Sequence, residues 1–454
     1  MDVHLRNSRF LVAGDPLRIA TGLMGMLLVM AACASRAKST TEEAWVPSIP
    51  RGDDPIGDID VSGAPAGIVP LPVSVDGRIR DVFTRYTRVV APNGKPIHIL
   101  AQGGWRTEQI ARARRVLEHI LTDVPGTRCG ADKAPVANAM ADRRATLALF
   151  DDVRALERAF DSGLDQVELG FQDLRANECP VEGDPDYLRH DTRDAAFEEI
   201  LHLVHDYGIR PAHPEYDERL HRANLAAAAR GLWEGWPVDE PANHRNEYFA
   251  AAYDNYLDLW ALTPLRYEGE VLEPGAVPAG MSHFGAFGAN SRASLRRVDP
   301  AAHALIEEFF PPYLTYTPEL PPDFEGVFSM RLDPEQRYTY KSQHLAHVTL
   351  TGTHDARILG NARSNRLTGN AGHNQLEGGA GDDTLRGGPG NDRLIGGPGQ
   401  DVALYAGNAS EYRIEVRGGS VVIADGRACR DGKDTLSGVE RVRFAHGERA
   451  LPVE

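Results

Sequence analysis

The chain has 454 residues, more than one core usually serves, and at roughly 100–200 residues per domain it should divide into two or three folded units. Its formal net charge of -16 excludes nucleic acid as the main partner, because phosphate binding asks for a basic surface, and suits hard cations instead. The 45 glycines recur at a fixed period toward the C-terminus, which excludes a featureless linker as the reason for them.

In chain order, Arg6, Arg9 and Arg18 precede an apolar run from Gly22 to Ala32 that stops at Cys33, the pattern of an export signal and too short for a permanent span. Met30-Ala31-Ala32-Cys33 resembles a bacterial lipoprotein box, which implies lipidation of Cys33 and a membrane contact through that anchor alone. Simple secretion and a misplaced start codon are the alternatives. Residues 1–33 are thus a signal segment, and residues 34–77, rich in Pro, Gly, Ser and Asp, are expected to be a flexible tether.

From residue 78 to 332 the pattern is that of an α+β domain. Pro96–Leu100 and Ala145–Phe150 read as strands, and Thr107 is expected to cap a helix whose Ile110, Val116, Leu117 and Ile120 share a face. Two further helices are predicted over Ala195–Tyr207 and Asn246–Trp260. Trp233, Trp236, Tyr253, Tyr256 and Trp260 read as core aromatics, with a substrate cleft as the alternative, and Gly280–Gly288 as a loop. Cys129 and Cys179 are candidates for a disulfide in an oxidising compartment. The chain shows neither a serine or cysteine triad nor a phosphate-binding glycine fingerprint.

Residues 333–350 read as junction strands, residues 351–404 as a repeat region and residues 405–454 as a β cap, with a hairpin turning at Gly418-Gly419. Nonapeptides starting at Gly378, Gly387 and Gly396 keep Gly-Gly-x-Gly-x-Asp in phase. Gly379, Gly381, Gly388, Gly390, Gly397 and Gly399 permit tight turns whose carbonyls face an ion, while Asp383, Asp392 and Asp401 supply charged oxygen. Units from Gly360 and Gly369 carry Asn365 and Asn374 at the ligand position, so ions there should be weaker or absent. Leu367, Leu376, Leu385 and Leu394 should point inward. The pattern resembles the RTX, or haemolysin-type, calcium-binding nonapeptide repeat, which implies an exported protein with a parallel β-roll and Ca2+ bridging units two apart. Asp383 then pairs with Asp401, and Asn374 with Asp392.

On the Ala195–Tyr207 helix, Glu198 and His202 share a face. With Glu199 between them the segment resembles the zincin His-Glu-x-x-His helix, Glu198 replacing the first histidine. Asn246-Glu247-Tyr248-Phe249-Ala250 resembles the downstream helix of lethal-factor-like gluzincins. The likeness implies Glu198, His202 and Glu247 as ligands of Zn2+ or another divalent ion, Glu199 as general base and a peptide or protein substrate. His205, three residues past His202, is a substitute ligand. The expected fold is a zincin-like α+β domain followed by an all-β parallel β-roll with a β cap. Two functions remain open: a metal-dependent peptidase, or a noncatalytic surface or matrix protein stiffened by calcium.

Overall fold

The computed structural model describes residues 46–190, 192–235, 241–262, 266–267, 270–271 and 280–451; the expected export segment, Cys33 and Trp236 lie outside them. The middle domain is built on five strands in the order β1 (Val69–Pro70), β2 (Arg85–Val90), β3 (Pro96–Ala101), β4 (Ala145–Phe150) and β5 (Gly170–Arg175). β1, β2 and β3 pair antiparallel, β3, β4 and β5 parallel. β3 and β4 are the predicted strands. Apart from His98 and Thr146 both are apolar, because each face of the sheet is covered. Ile97, Ile99, Leu147 and Leu149 enter a large core that includes helix α1 (Thr107–Leu121), while Leu100, Ala148 and Phe150 enter a smaller one. Ile110, Val116, Leu117 and Ile120 of α1 are buried as their spacing requires. Thr107 is the first helical residue and not the cap: Gln109 Oε1 accepts from the Arg106 N–H at 3.2 Å.

The expected tether is corrected where it is described. Residues 46–77 pack onto the smaller core through Ile56 and Val75, contribute β1, and bring Asp54 Oδ2 to 3.0 Å from His98 Nε2. A Pro- and Gly-rich composition hid apolar residues that have a sheet face to cover. Trp233, Tyr253, Tyr256 and Trp260 are buried in the large core, so the core reading of the aromatics holds for those four. Cys129 and Cys179 are unpaired, Cys179 being fully buried, and no disulfide forms between them.

The C-terminal part is a two-sheet parallel roll whose turns alternate between the sheets. One seven-stranded sheet includes 347–350, 366–368, 384–386, 402–404 and 441–443; the other includes 356–359, 375–377, 393–395 and 433–437. Register stacks Val348, Leu367, Leu385, Ala403 and Val442 inside one sheet and Phe328, Ile358, Leu376, Leu394 and Leu436 inside the other. All four predicted leucines are fully buried.

The roll is longer than its repeats. Strands 319–320 and 326–329, which fall inside the expected middle domain, begin its two sheets, and residues 333–350 hold one strand and a short helix, Thr339–Ser342. The predicted hairpin, Tyr412–Arg417 with Ser420–Asp425, leaves the coil, which then resumes at Lys433–Ser437. One continuous core joins roll and middle domain through Tyr316, Leu320, Phe328 and Tyr338. Lys341 Nζ lies 3.7 Å from Asp194, and His344 Nε2 lies 2.7 Å from Asp258. Among the described residues no helix is long and apolar enough to cross a membrane.

Candidate metal sites

Helix α2 (Ala196–Val204) packs between β5 and helix α3 (Pro241–Tyr256). Every residue of α2 is buried, so its three polar side chains are surrounded by protein instead of water. A turn of π-helix, His205–Ile209, follows it. Glu198 and His202 face Glu247 on α3, and one ligand atom from each lies within 4.8 Å of the others. His202 Nε2 stands 3.6 Å from Glu247 Oε1. Both ring nitrogens of His202 are buried without a hydrogen-bond partner among the described residues, an arrangement that costs free energy unless something accepts or coordinates there. Two carboxylates and one imidazole fit a divalent ion of borderline hardness.

Two neighbours modify this set. Arg193 donates to Glu198 and, at 2.8 Å, to Glu178, which also accepts from Arg175 at 2.7 Å. Burial pushes the Glu198 carboxyl up, but Arg193, His283 and His202 together outweigh it and hold the group below its usual value. Glu199 turns to the other side and accepts from Gln172 Nε2 on β5 at 2.7 Å. Burial, then Glu198 and Asp173, push it well above the carboxylate range. A base at this position must first give up the proton it holds.

His205 is not a substitute ligand. Its Nδ1 is 2.7 Å from Asn246 Oδ1 and its Nε2 2.8 Å from Asp217 Oδ1, so both nitrogens are taken. Sequence reasoning missed Asp254 and His283. His283 Nε2 lies 3.7 Å from Asp254 Oδ2, its ring stacks on Trp260 at 4.6 Å, and Trp260 donates to Asp254 at 3.1 Å. Burial pushes the His283 imidazole down to about 4, against the upward pull of Glu198, so it is neutral beside the cluster. Asp254 sits two turns beyond Glu247 on α3, a helical spacing that could have flagged it; nothing in the sequence tied His283 to this place.

In the roll, the turns form two edges. On one, Asn365 N–H donates to Asp383 Oδ1 and Asp383 N–H to Asp401 Oδ1; on the other, Asn374 N–H donates to Asp392 Oδ1, each at 2.8 Å. The second oxygens of Asp383, Asp392 and Asp401 are buried with no hydrogen-bond partner among the described residues. Burial raises Asp383 and Asp392 to about 7 and Asp401 to about 6. Unpaired buried oxygens of this kind are what a hard cation satisfies. The glycines are required by closeness as well as by conformation: Gly397 has φ of +122°, and a Cβ there would stand 2.0 Å from Gly379 O.

The asparagine turns close differently. Asn365 Nδ2 donates to Ala346 O at 3.1 Å and to Asn361 Oδ1 at 3.0 Å, and Asn374 Nδ2 to Asn370 Oδ1 at 3.0 Å. Amide hydrogens there close the turn within the protein, where the aspartate turns leave a buried carboxylate oxygen without a partner among the described residues. That is the physical difference between the two ends of the repeat run.

A family model described as the RTX calcium-binding nonapeptide repeat (4 copies) matches residues 351–385 and 368–403. No curated protein matches the chain. Residues 351–403 are therefore a run of RTX calcium-binding nonapeptide repeats, and calcium is the ion this β-roll is built to bind.

Proposed function

We propose that this is an exported, calcium-dependent protein whose middle domain is a metal-dependent peptidase. In the roll, Asp383 and Asp401 hold an ion from one edge with the carbonyls of their glycine turns, and Asp392 serves the other edge. In the middle domain, Glu198, His202 and Glu247 hold one divalent transition-metal ion. The observation that carries the reading is the convergence of these three side chains from two helices, with both His202 nitrogens lacking hydrogen-bond partners among the described residues. A metal there would supply Lewis-acid polarisation of a peptide carbonyl. Glu199, adjacent but directed at Gln172, is the proton-handling group. With a cation at the cluster its neutral form loses the advantage that Glu198 and Asp173 now give it. His283, neutral and stacked on Trp260, stands beside the cluster.

A second reading has its own observation. Glu198, His202 and Glu247 are only 2%, 3% and 2% exposed, and Arg193 already compensates Glu198, which suits a closed structural centre in a noncatalytic surface protein. Metal analysis of the full chain beside Glu247→Ala, followed by peptide-cleavage assays, separates the two. Near-stoichiometric transition metal lost in the variant, with cleavage lost in parallel, is the expected result. Metal without cleavage supports the structural centre, and no metal in either protein removes the peptidase.

A further inference from the structure

The coil outlives the repeats. After Leu404 the chain leaves the roll through the 412–425 hairpin, then returns, and Arg393, Leu394 and Ile395 pair in parallel with Thr435, Leu436 and Ser437. The returning turn repeats the contacts that mark the calcium turns. Asp392 N–H donates to Asp434 Oδ1 at 2.9 Å, as Asn374 N–H donates to Asp392 Oδ1 one turn earlier on the same edge. Gly432, with φ of +66°, lies so close over Gly390 O that a Cβ would stand 1.4 Å from it, the relation that Gly399 bears to Gly381 O at 2.0 Å. Residues 429–434 are therefore a turn of the ladder, displaced in sequence by the hairpin and carrying aspartate where the ligand belongs.

Asp392 needs a partner on this side. Its Oδ2 is unpartnered, the residue is 3% exposed, and the atom points into its own turn, 2.3 Å from where a Gly387 Cβ would be. Toward the preceding turn it meets Asn374, which brings no charge and whose Nδ2 is spent on Asn370. Toward the following turn it meets Asp434. The charged groups that act on Asp434 are Asp392 and Asp431, both acidic, and its Oδ2 accepts from Tyr405 at 2.9 Å. His373 offsets part of the charge on Asp392, yet two buried carboxylates in successive turns remain costly unless a cation stands between them.

We infer that a calcium ion binds between the 387–392 turn and the 429–434 turn, with Asp392 and Asp434 as its charged ligands, beyond the recognised repeats. The hairpin then does not end the calcium ladder but bulges out of it. The ion fastens the returning chain to the last repeats, across an interval that no nonapeptide count would bridge.

The test counts calcium bound to the full chain by native mass spectrometry and equilibrium dialysis, for the parent and for Asp434→Asn, which keeps an acceptor for the Asp392 N–H. The expected result is one calcium fewer per chain with the strand content in saturating calcium retained; an unchanged count in a folded variant overturns the inference. If Asp434→Asn does not fold in calcium, terbium replaces calcium in the parent and in Tyr405→Phe. Tyrosine-sensitised terbium emission should fall by half or more in that variant if the ion lies at Asp434, and unchanged emission overturns the inference.

Discussion

Arg193 donates to Glu198, so the carboxylate one helical turn from His202 is already charge-compensated in a buried network. A metal bound at the cluster, as proposed, would compete with that guanidinium. Replacing Arg193 with glutamine leaves Glu198 buried beside other acids, and breaking a buried pair costs about 3–5 kcal/mol. Urea unfolding of Arg193→Gln without added metal should show a loss of that order. Zinc at about 100-fold over its Kd should return about 2.7 kcal/mol, because it binds only the folded state. A loss that zinc does not ease would take Glu198 out of the ligand set.

Glu199 and Glu198 are neighbours in sequence with opposite electrostatic fates. Glu199→Gln keeps an oxygen for Gln172 Nε2 but has no proton to exchange. The variant should retain its metal while peptide cleavage drops by about 10²–10⁴-fold, the range for a lost general base. Elemental analysis and a quenched-peptide assay on one preparation decide it, and metal loss would show that Glu199 holds the site instead of reacting in it.

The roll should respond to pH in opposite senses with and without calcium. In chelator, burial holds Asp383 and Asp392 at about 7, Asp401 at about 6 and Asp434 at about 8, all raised above the ordinary aspartate value. Between their ordinary and raised values the folded roll binds more protons than the unfolded chain, so its stability falls as pH rises. In chelator the urea midpoint should be higher near about pH 5 than near about pH 8, and in millimolar calcium the order should reverse because the ligands must be ionised. A midpoint that rises with pH in chelator would contradict the raised carboxylates.

Calcium removal should reach the middle domain. The two parts share one core, and all 5 tryptophans stand at or before Trp260, so tryptophan emission does not come from the roll itself. Strand content by circular dichroism should fall in chelator and tryptophan emission should shift to longer wavelength with it. An emission unchanged while strand content collapses would make the roll an independent unit.

The inner column of the roll carries one side chain per strand and has little redundancy. Leu385, fully buried between Leu367 and Ala403, should lose about 2–5 kcal/mol on truncation to alanine. The calcium midpoint for folding should rise accordingly in a dichroism titration. An unchanged midpoint would mean that this layer is not formed when the ions bind.

The repeat region was legible because its physics is periodic: glycine, aspartate and leucine each return every ninth residue, and a roll asks for nothing else. Strands β3 and β4, α1, and the pairing of Glu198 with His202 on one face were legible for the same reason, since local spacing defines them. What tertiary structure alone decided lies where contact crosses long stretches of chain. Composition made residues 46–77 look like a tether, yet the uncovered sheet face draws Ile56 and Val75 onto it. Spacing could not show that Arg193 would take Glu198, that His205 would be spent on Asn246 and Asp217, or that His283 would stand beside the cluster. Nor could a nonapeptide count find Asp434 behind the hairpin. Periodicity determines which residues share a face, because it follows from the geometry of one element; which faces meet depends on burial and charge summed over the whole chain, and that sum exists only in the folded molecule.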